Sequence, residues 1–178
     1  EANMRLIEDG RYGDNLMKLM VSQNAPFVPI YDAWRADSRE MLGYETKKAR
    51  RDAELIDAKV LSNRKPPYGL AGGLYDALKA TNGDVMVATN AQARRARKLF
   101  KELEEIDIHP APAVALASLI KMVESGAIDK DACIMLNITG AGEEAAKQNR
   151  EIFTIKPSKV FPLNVTVDEV VSYVETLF

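Results

Sequence analysis

A hydroxyl followed by two glycines closes an apolar run in "LNITGAG", residues 136–142. The run "CIMLNI" reads as an interior strand, and it stops at Thr139. Gly140 and Gly142 keep the turn behind it free of large side chains. Two readings of this turn stand side by side. In one it is a plain strand-to-helix turn, where glycine supplies backbone freedom. In the other, Thr139 lies at the edge of a pocket and its hydroxyl touches a ligand. The second gains weight from position, because ligands of helix-covered parallel sheets bind beyond the carboxyl ends of strands.

Other residues with chemical potential are less well placed. Glu102, Glu104 and Glu105 end a helix and Glu143-Glu144 open one, the usual setting of solvated carboxylates. His109, in "IDIHPAP", is the single histidine and has no serine, cysteine or metal partner nearby in sequence. Cys133 falls within the apolar run and reads as an inert buried thiol. The basic runs "KKARR" (47–51) and "ARRARK" (93–98) carry no interleaved aromatics and read as solvated helix faces. "SNRKPPYGLAGG" (62–73) lacks the spacing of a phosphate loop. Gly72-Gly73 nevertheless opens a helix whose N–H groups, with Asn63, Arg64 and Lys65 upstream, suit an oxyanion. No catalytic residue and no metal ligand set is assigned from these patterns, and no substrate contact is assigned either.

These residues must be positioned by alternating elements. "LMKLMVS" (16–22) reads as a strand, and residues 31–45 as a loop or irregular helix around Trp34. A helix over 46–60 has Ala49, Ala53, Ile56 and Val60 on one stripe. "LYDALKA" is a short helix stopped at Asn82-Gly83, and "DVMVAT" (84–89) is a strand. The next helix, capped by Asn90, buries Ala93, Ala96, Phe100 and Leu103. Residues 113–123 are apolar on nearly every side, as in a helix between layers. "TVDE" (166–169) is a capping box opening a helix with Val167, Val170, Val171, Val174 and Leu177 on one face. Strands apolar on both faces alternating with helices predict an α/β fold, a mainly parallel sheet flanked by helices.

Composition excludes several classes. The chain is 47% hydrophobic and 28% charged, with formal net charge −2, so no basic field collects phosphates along a nucleic acid. Its apolar stretches are too short to cross a bilayer, and one cysteine permits no disulfide framework. A cytoplasmic protein without membrane contact is the expectation. The first ten residues have helical spacing from Ala2 and Asn3 with no cap before them, as in an excised fragment.

Several segments together, "RLIEDGRYGDNLMKLMVSQNAPFVPIYDAW", "LSNRKPPYGLAGGLYDAL" and "EIDIHPAPAVALASLIKMVESGAIDKDACIMLNITGAG", resemble the C-terminal half of the cysteate synthases. These are threonine-synthase-like, pyridoxal 5'-phosphate (PLP) dependent enzymes of methanogenic archaea. "PPYGLAGGLYDAL" and "LNITGAG" separate the resemblance from ordinary threonine synthases, which carry a GNP-type loop and a TGHG-type turn there. The resemblance implies a fold like tryptophan synthase β, fold type II, with PLP between two αβα domains. It implies β-replacement of O-phospho-L-serine by sulfite, giving L-cysteate and phosphate on the way to coenzyme M. Thr139 falls where the family's hydroxyl meets the pyridine nitrogen. Gly140 and Gly142 would let the backbone pass close to the ring. The lysine that holds the cofactor and its phosphate loop belong upstream of Glu1, so this chain alone is expected to be inactive. His109 and Pro112 depart from the "EPASAA" pattern of threonine synthases.

On this reading residues 1–158 are the C-terminal portion of the PLP domain and 159–178 a strand-and-helix extension, in a homo-oligomer. The alternatives are a threonine synthase acting on O-phosphohomoserine, and a non-catalytic α/β interaction domain.

Overall fold

In the computed structural model, which describes residues 1–149, 151, 153 and 155–178, the chain falls into two units, Glu1–Ala146 and Lys147–Phe178. The first begins with α1 (Ala2–Glu8) and β1 (Met20–Ala25), followed by α2 (Pro29–Arg35) and α3 (Thr46–Leu55). A 3-10 turn at Lys59–Leu61 leads to α4 (Leu74–Ala80) and β2 (Asp84–Thr89). Then come α5 (Asn90–Glu104), α6 (Pro110–Glu124) and the start of α7 (Glu143–Asn149). β1 and β2 run parallel, Met20 opposite Asp84 and Ala25 opposite Thr89. A parallel pair needs a long crossover, which α2, α3 and α4 supply.

The two-residue period of β2 divides the helices between two layers. Val85 points to a cluster with Ala33, Tyr68 and Leu78, formed with α2 and α4. Ala88 points to the opposite cluster with Ala58, Ala93, Ala96, Ile108, Ala113 and Val114, formed with α5 and α6. α6 packs against both strands and α5. Ala113, Val114, Ala117 and Met122 are buried, but Lys121 and Val123 are exposed, so α6 lies beside α5 on one face of the sheet and is not the between-layer helix expected. The architecture is therefore α/β, a small parallel sheet flanked by helices.

Several local expectations shift. The first strand lies at Met20–Ala25 instead of 16–22, and Leu16 and Met17 are exposed. An apolar run without an internal turn signal does not state its own register; pairing with β2 does. The stripe expected to reach Val60 ends at Ile56, which is extended (ψ 145), and Val60 is 81% exposed. Phe100 packs against the core while Leu103, a turn later, is exposed. Thr89, not Asn90, caps α5: its Oγ1 accepts from the Gln92 N–H at 3.3 Å while Gln92 Oε1 accepts from the Thr89 N–H at 2.9 Å. Asn90 stands one residue too late and ties α5 to the end of α3, donating to Leu55 O at 2.7 Å.

The run 133–138 is the largest departure. It forms no strand, and Ile134, Met135 and Cys133 are exposed. Among the described residues the sheet has two strands, and neither offers its edge to this run. An apolar run that finds no neighbouring strand stays largely uncovered, and of this one Ile138 packs against the core. Cys133 is accordingly an exposed thiol and not a buried one.

At the start of β2, Asp84 accepts from the Trp34 indole N–H at 2.7 Å and from Arg35 at 2.9 Å. Burial pushes the Asp84 carboxyl pKa up, but the bonds from Arg35, the Val85 N–H and Trp34 outweigh it and hold it below the ordinary carboxylate range. A depressed folded-state pKa contributes stability above the unfolded value and loses it as pH falls through the folded one. The thermal midpoint should therefore decline as pH drops below the ordinary carboxylate range, and Asp84→Asn should flatten that acid limb. Superimposable acid limbs in the two proteins would show that Asp84 contributes nothing to it.

In the second unit, Thr166 and Glu169 form the expected capping box at the start of α8 (Val167–Glu175). Phe161 meets Tyr173 edge-on at 5.7 Å, with Lys159 above both rings. The α8 apolar face is not covered: Val167 is exposed and Val171, Val174 and Leu177 are about half exposed. No helix among the described residues is long and apolar enough to cross a membrane.

Candidate functional site

The turn at 139–142 is stitched to the segment that enters α6. The His109 N–H donates to Gly140 O at 2.8 Å, Ile108 bridges Ala141, and the Gly142 N–H donates to Asp107 O at 2.9 Å. Ile138 packs against the cluster containing Ala58, Ala88 and Ile108, which anchors the residue before the turn. Thr139 itself is exposed, and among the described residues its hydroxyl has no hydrogen-bond partner.

Both glycines have a steric reason. Gly142 sits at φ +75, the left-handed region that glycine enters without penalty. A Cβ on Gly140 would lie 2.8 Å from Nδ1 of His109. The backbone at Gly140 therefore passes the imidazole closely. His109 occupies the cap position of α6, and its Nε2 is 3.4 Å from Glu143 Oε2.

Asp107 completes the arrangement. It is 3% exposed, and its carboxylate accepts from the Glu143 N–H at 3.1 Å and the Glu144 N–H at 3.2 Å. These are orphan donors at the start of α7, and a carboxylate there also meets the positive end of the helix dipole. Glu144 is not simply solvated as expected: Lys101 pairs with it, and Arg97 stands 4.0 Å away.

The oxyanion site expected at Gly72-Gly73 is taken by the chain's own side chain. Asp76 Oδ2 accepts from the Gly72 N–H at 2.8 Å, and Arg39 binds the same carboxylate. Arg39, then the Gly72 N–H, hold the Asp76 carboxyl below its ordinary value. Arg64 does not converge on that helix end; it lines a shallow concavity with Arg50, Lys59 and Ser62 beside Glu54. The Lys65 N–H donates to Asn63 Oδ1 at 3.0 Å, a local turn bond. The basic helix faces are exposed as expected, with Arg94 bound to Asp57 at 2.6 Å and Lys48 to Asp52 at 2.7 Å.

Comparison with known proteins adds to this geometry. No family model matches the chain. It is 46% identical over 171 residues to a cysteate synthase of Methanosarcina mazei, an alignment covering 95% of this chain and 41% of that protein. It is 48% identical over 158 residues to a cysteate synthase of Methanosarcina barkeri, covering 88% of this chain and 38% of that protein. A cysteate synthase of Methanocella paludicola is 43% identical over 171 residues, 96% of this chain and 39% of that protein. The chain is a relative of the cysteate synthases. It spans about two fifths of the length of the curated relatives it matches.

In this cysteate synthase relative, the residues around the turn divide by how they announce themselves. Thr139, Gly140 and Gly142 stand out locally as a hydroxyl between an apolar run and small residues. Asp107 does not. Its partners lie 36 and 37 residues downstream, and nothing in "EIDIHP" distinguishes it from a surface aspartate.

Proposed function

We propose that this cysteate synthase relative forms part of a PLP-dependent β-replacement enzyme that converts O-phospho-L-serine and sulfite to L-cysteate and phosphate, for coenzyme M biosynthesis. The observation that carries the reading is identity of 46% to a cysteate synthase along 95% of the chain. The fold proposed for the whole protein is the tryptophan-synthase-β-like αβα arrangement, fold type II. Residues 1–158 would contribute to its PLP domain and 159–178 extend it. A cytoplasmic homo-oligomer belongs to the same proposal.

Thr139 supports the cofactor assignment. Its hydroxyl is exposed and without a partner among the described residues, so it is free to donate to a pyridine nitrogen. It follows a core-anchored residue, Ile138, and precedes a turn held at Gly140, Ala141 and Gly142. The group, when bound, supplies the electron sink for carbon–heteroatom cleavage next to an amino acid's Cα. The residues of this chain orient it. A threonine hydroxyl is a neutral donor and does not hold the nitrogen protonated as a carboxylate would. That tuning favours expulsion of phosphate over a long-lived carbanion. In the net reaction the Cβ–O bond of O-phosphoserine breaks, a Cβ–S bond to sulfite forms, and phosphate leaves, with no change of overall oxidation state.

The test is production of cysteate from O-phosphoserine and sulfite by the protein expressed from its whole gene with PLP. Threonine from O-phosphohomoserine and water in place of cysteate would overturn the substrate assignment. Thr139→Ala in that protein should weaken PLP binding by about 1–3 kcal/mol, the cost of leaving a desolvated acceptor unpaired. Thr139→Ser, which keeps the donor, should bind nearly as the parent does. Equal PLP affinity in the alanine variant and the parent would reduce Thr139 to a turn residue.

A further inference from the structure

Asp107 is a buried carboxylate that the proposed reaction does not use. It has no cation within salt-bridge distance among the described residues, so its charge is compensated by the main chain. Oδ2 accepts from the Glu143 N–H at 3.1 Å, and the Glu144 N–H is shared between Oδ1 at 3.2 Å and Oδ2 at 3.3 Å. Its carbonyl takes the Gly142 N–H, the next residue bridges Ala141, and the one after donates to Gly140. Three consecutive residues thus hold the five that follow Thr139, and Asp107 alone accounts for three of the donors. Thr139 is the first residue outside the clamp on that side, and its side chain makes no bond of its own.

We infer that Asp107 is a positioning residue for Thr139: it fixes the height and tilt of the 139–142 turn against the start of α6, and so aims the Thr139 hydroxyl. A carboxylate suits this task because both of its oxygens accept and it carries a negative charge at a helix start. An amide would keep one acceptor, lose the charge and turn its NH2 toward the Glu144 N–H. The chemistry recognised is that of a ring nitrogen acceptor, and the inference rests on the reading of Thr139 as a cofactor contact.

Two measurements on the protein expressed from its whole gene test it. The first is amide hydrogen exchange without added PLP. Asp107→Asn should speed exchange at Gly142, Glu143 and Glu144 by about tenfold or more, since each factor of ten is a small change in local opening, while β1, β2 and α6 stay protected. The second is PLP affinity, by fluorescence titration, for the parent, Asp107→Asn, Thr139→Ala and the double variant. Asp107→Asn should bind PLP about five- to tenfold more weakly, and the double variant no more weakly than Thr139→Ala. That non-additivity is what a residue acting through Thr139 produces.

Faster exchange with unchanged PLP affinity would make Asp107 a cap of α7 and nothing more, overturning the inference while Thr139→Ala still reports on the cofactor reading. Fully additive losses would also overturn it, because Asp107 would then act by another route. Parental affinity in Thr139→Ala would instead sink the cofactor reading and the inference with it. Should Asp107→Asn lose protection throughout the fold, Asp107→Ser, which keeps one capping oxygen, goes through the same cycle with the same criteria.

Discussion

The 178-residue chain, incubated with PLP, O-phosphoserine and sulfite, should form no cysteate above the uncatalysed background, and none of its lysines should become pyridoxylated. This expected loss of all activity has a quantitative basis. The chain spans about two fifths of its curated relatives, and on the proposed reading the lysine and phosphate loop that hold the cofactor lie in the part of them it does not span. What the chain itself offers is the Thr139 hydroxyl, a hydrogen bond of about 1 kcal/mol net. A millimolar complex needs about 4 kcal/mol. Lys79 is poorly suited to capture an aldehyde, because Asp37 binds it, raises its pKa and keeps it protonated. Absorbance after mixing, followed by borohydride reduction and peptide mass spectrometry, provides the check. A stoichiometric adduct at one lysine would place the covalent cofactor site inside this chain and overturn the residue assignment.

Asn24→Ala should be the most damaging single change to the fold, at roughly 2–5 kcal/mol, because it leaves two buried main-chain groups unpaired at about 1–3 kcal/mol each. Asn24 is fully buried at the end of β1. Its Nδ2 donates to Ala88 O at 3.1 Å and Ala25 O at 3.2 Å, and its Oδ1 accepts from the Ala58 N–H at 3.1 Å. One side chain thus joins β1, β2 and the segment after α3. Total stabilities of domains this size are about 5–15 kcal/mol, so such a loss is a large share. Asn24→Asp keeps the acceptor but removes the donor and adds a buried charge, so it should fare no better. Urea unfolding of the parent and the two variants measures this. A midpoint for Asn24→Ala equivalent to less than about 1 kcal/mol of loss would mean that water replaces the amide in that position.

The amino-acid sequence by itself determined the features whose signals lie within a few residues. β2 is bounded by a left-handed Asn82 on one side and a capping threonine on the other, so "DVMVAT" is the strand the structure contains. Thr166 and Glu169, three apart, specify the start of α8 for the same reason. The family resemblance was also legible, because it rests on long contiguous segments, and the comparisons with cysteate synthases bear it out. Tertiary structure decided the rest. Which six residues of the stretch from Leu16 to Ala25 form β1 depends on Asp84–Thr89 lying alongside. Whether "CIMLNI" is covered depends on a neighbouring strand that the two-stranded sheet does not supply. Asp76 is turned onto the Gly72 N–H before α4, and Arg39, 37 residues away, holds the same carboxylate. Asp107 became visible only when the fold carried Glu143 and Glu144 to it. Caps and turns are satisfied by neighbours in sequence, so residue type and spacing narrow them to a residue or two, as with Thr89 beside Asn90. Register, burial and long-range hydrogen bonds depend on partners tens of residues away, which only the folded chain brings together.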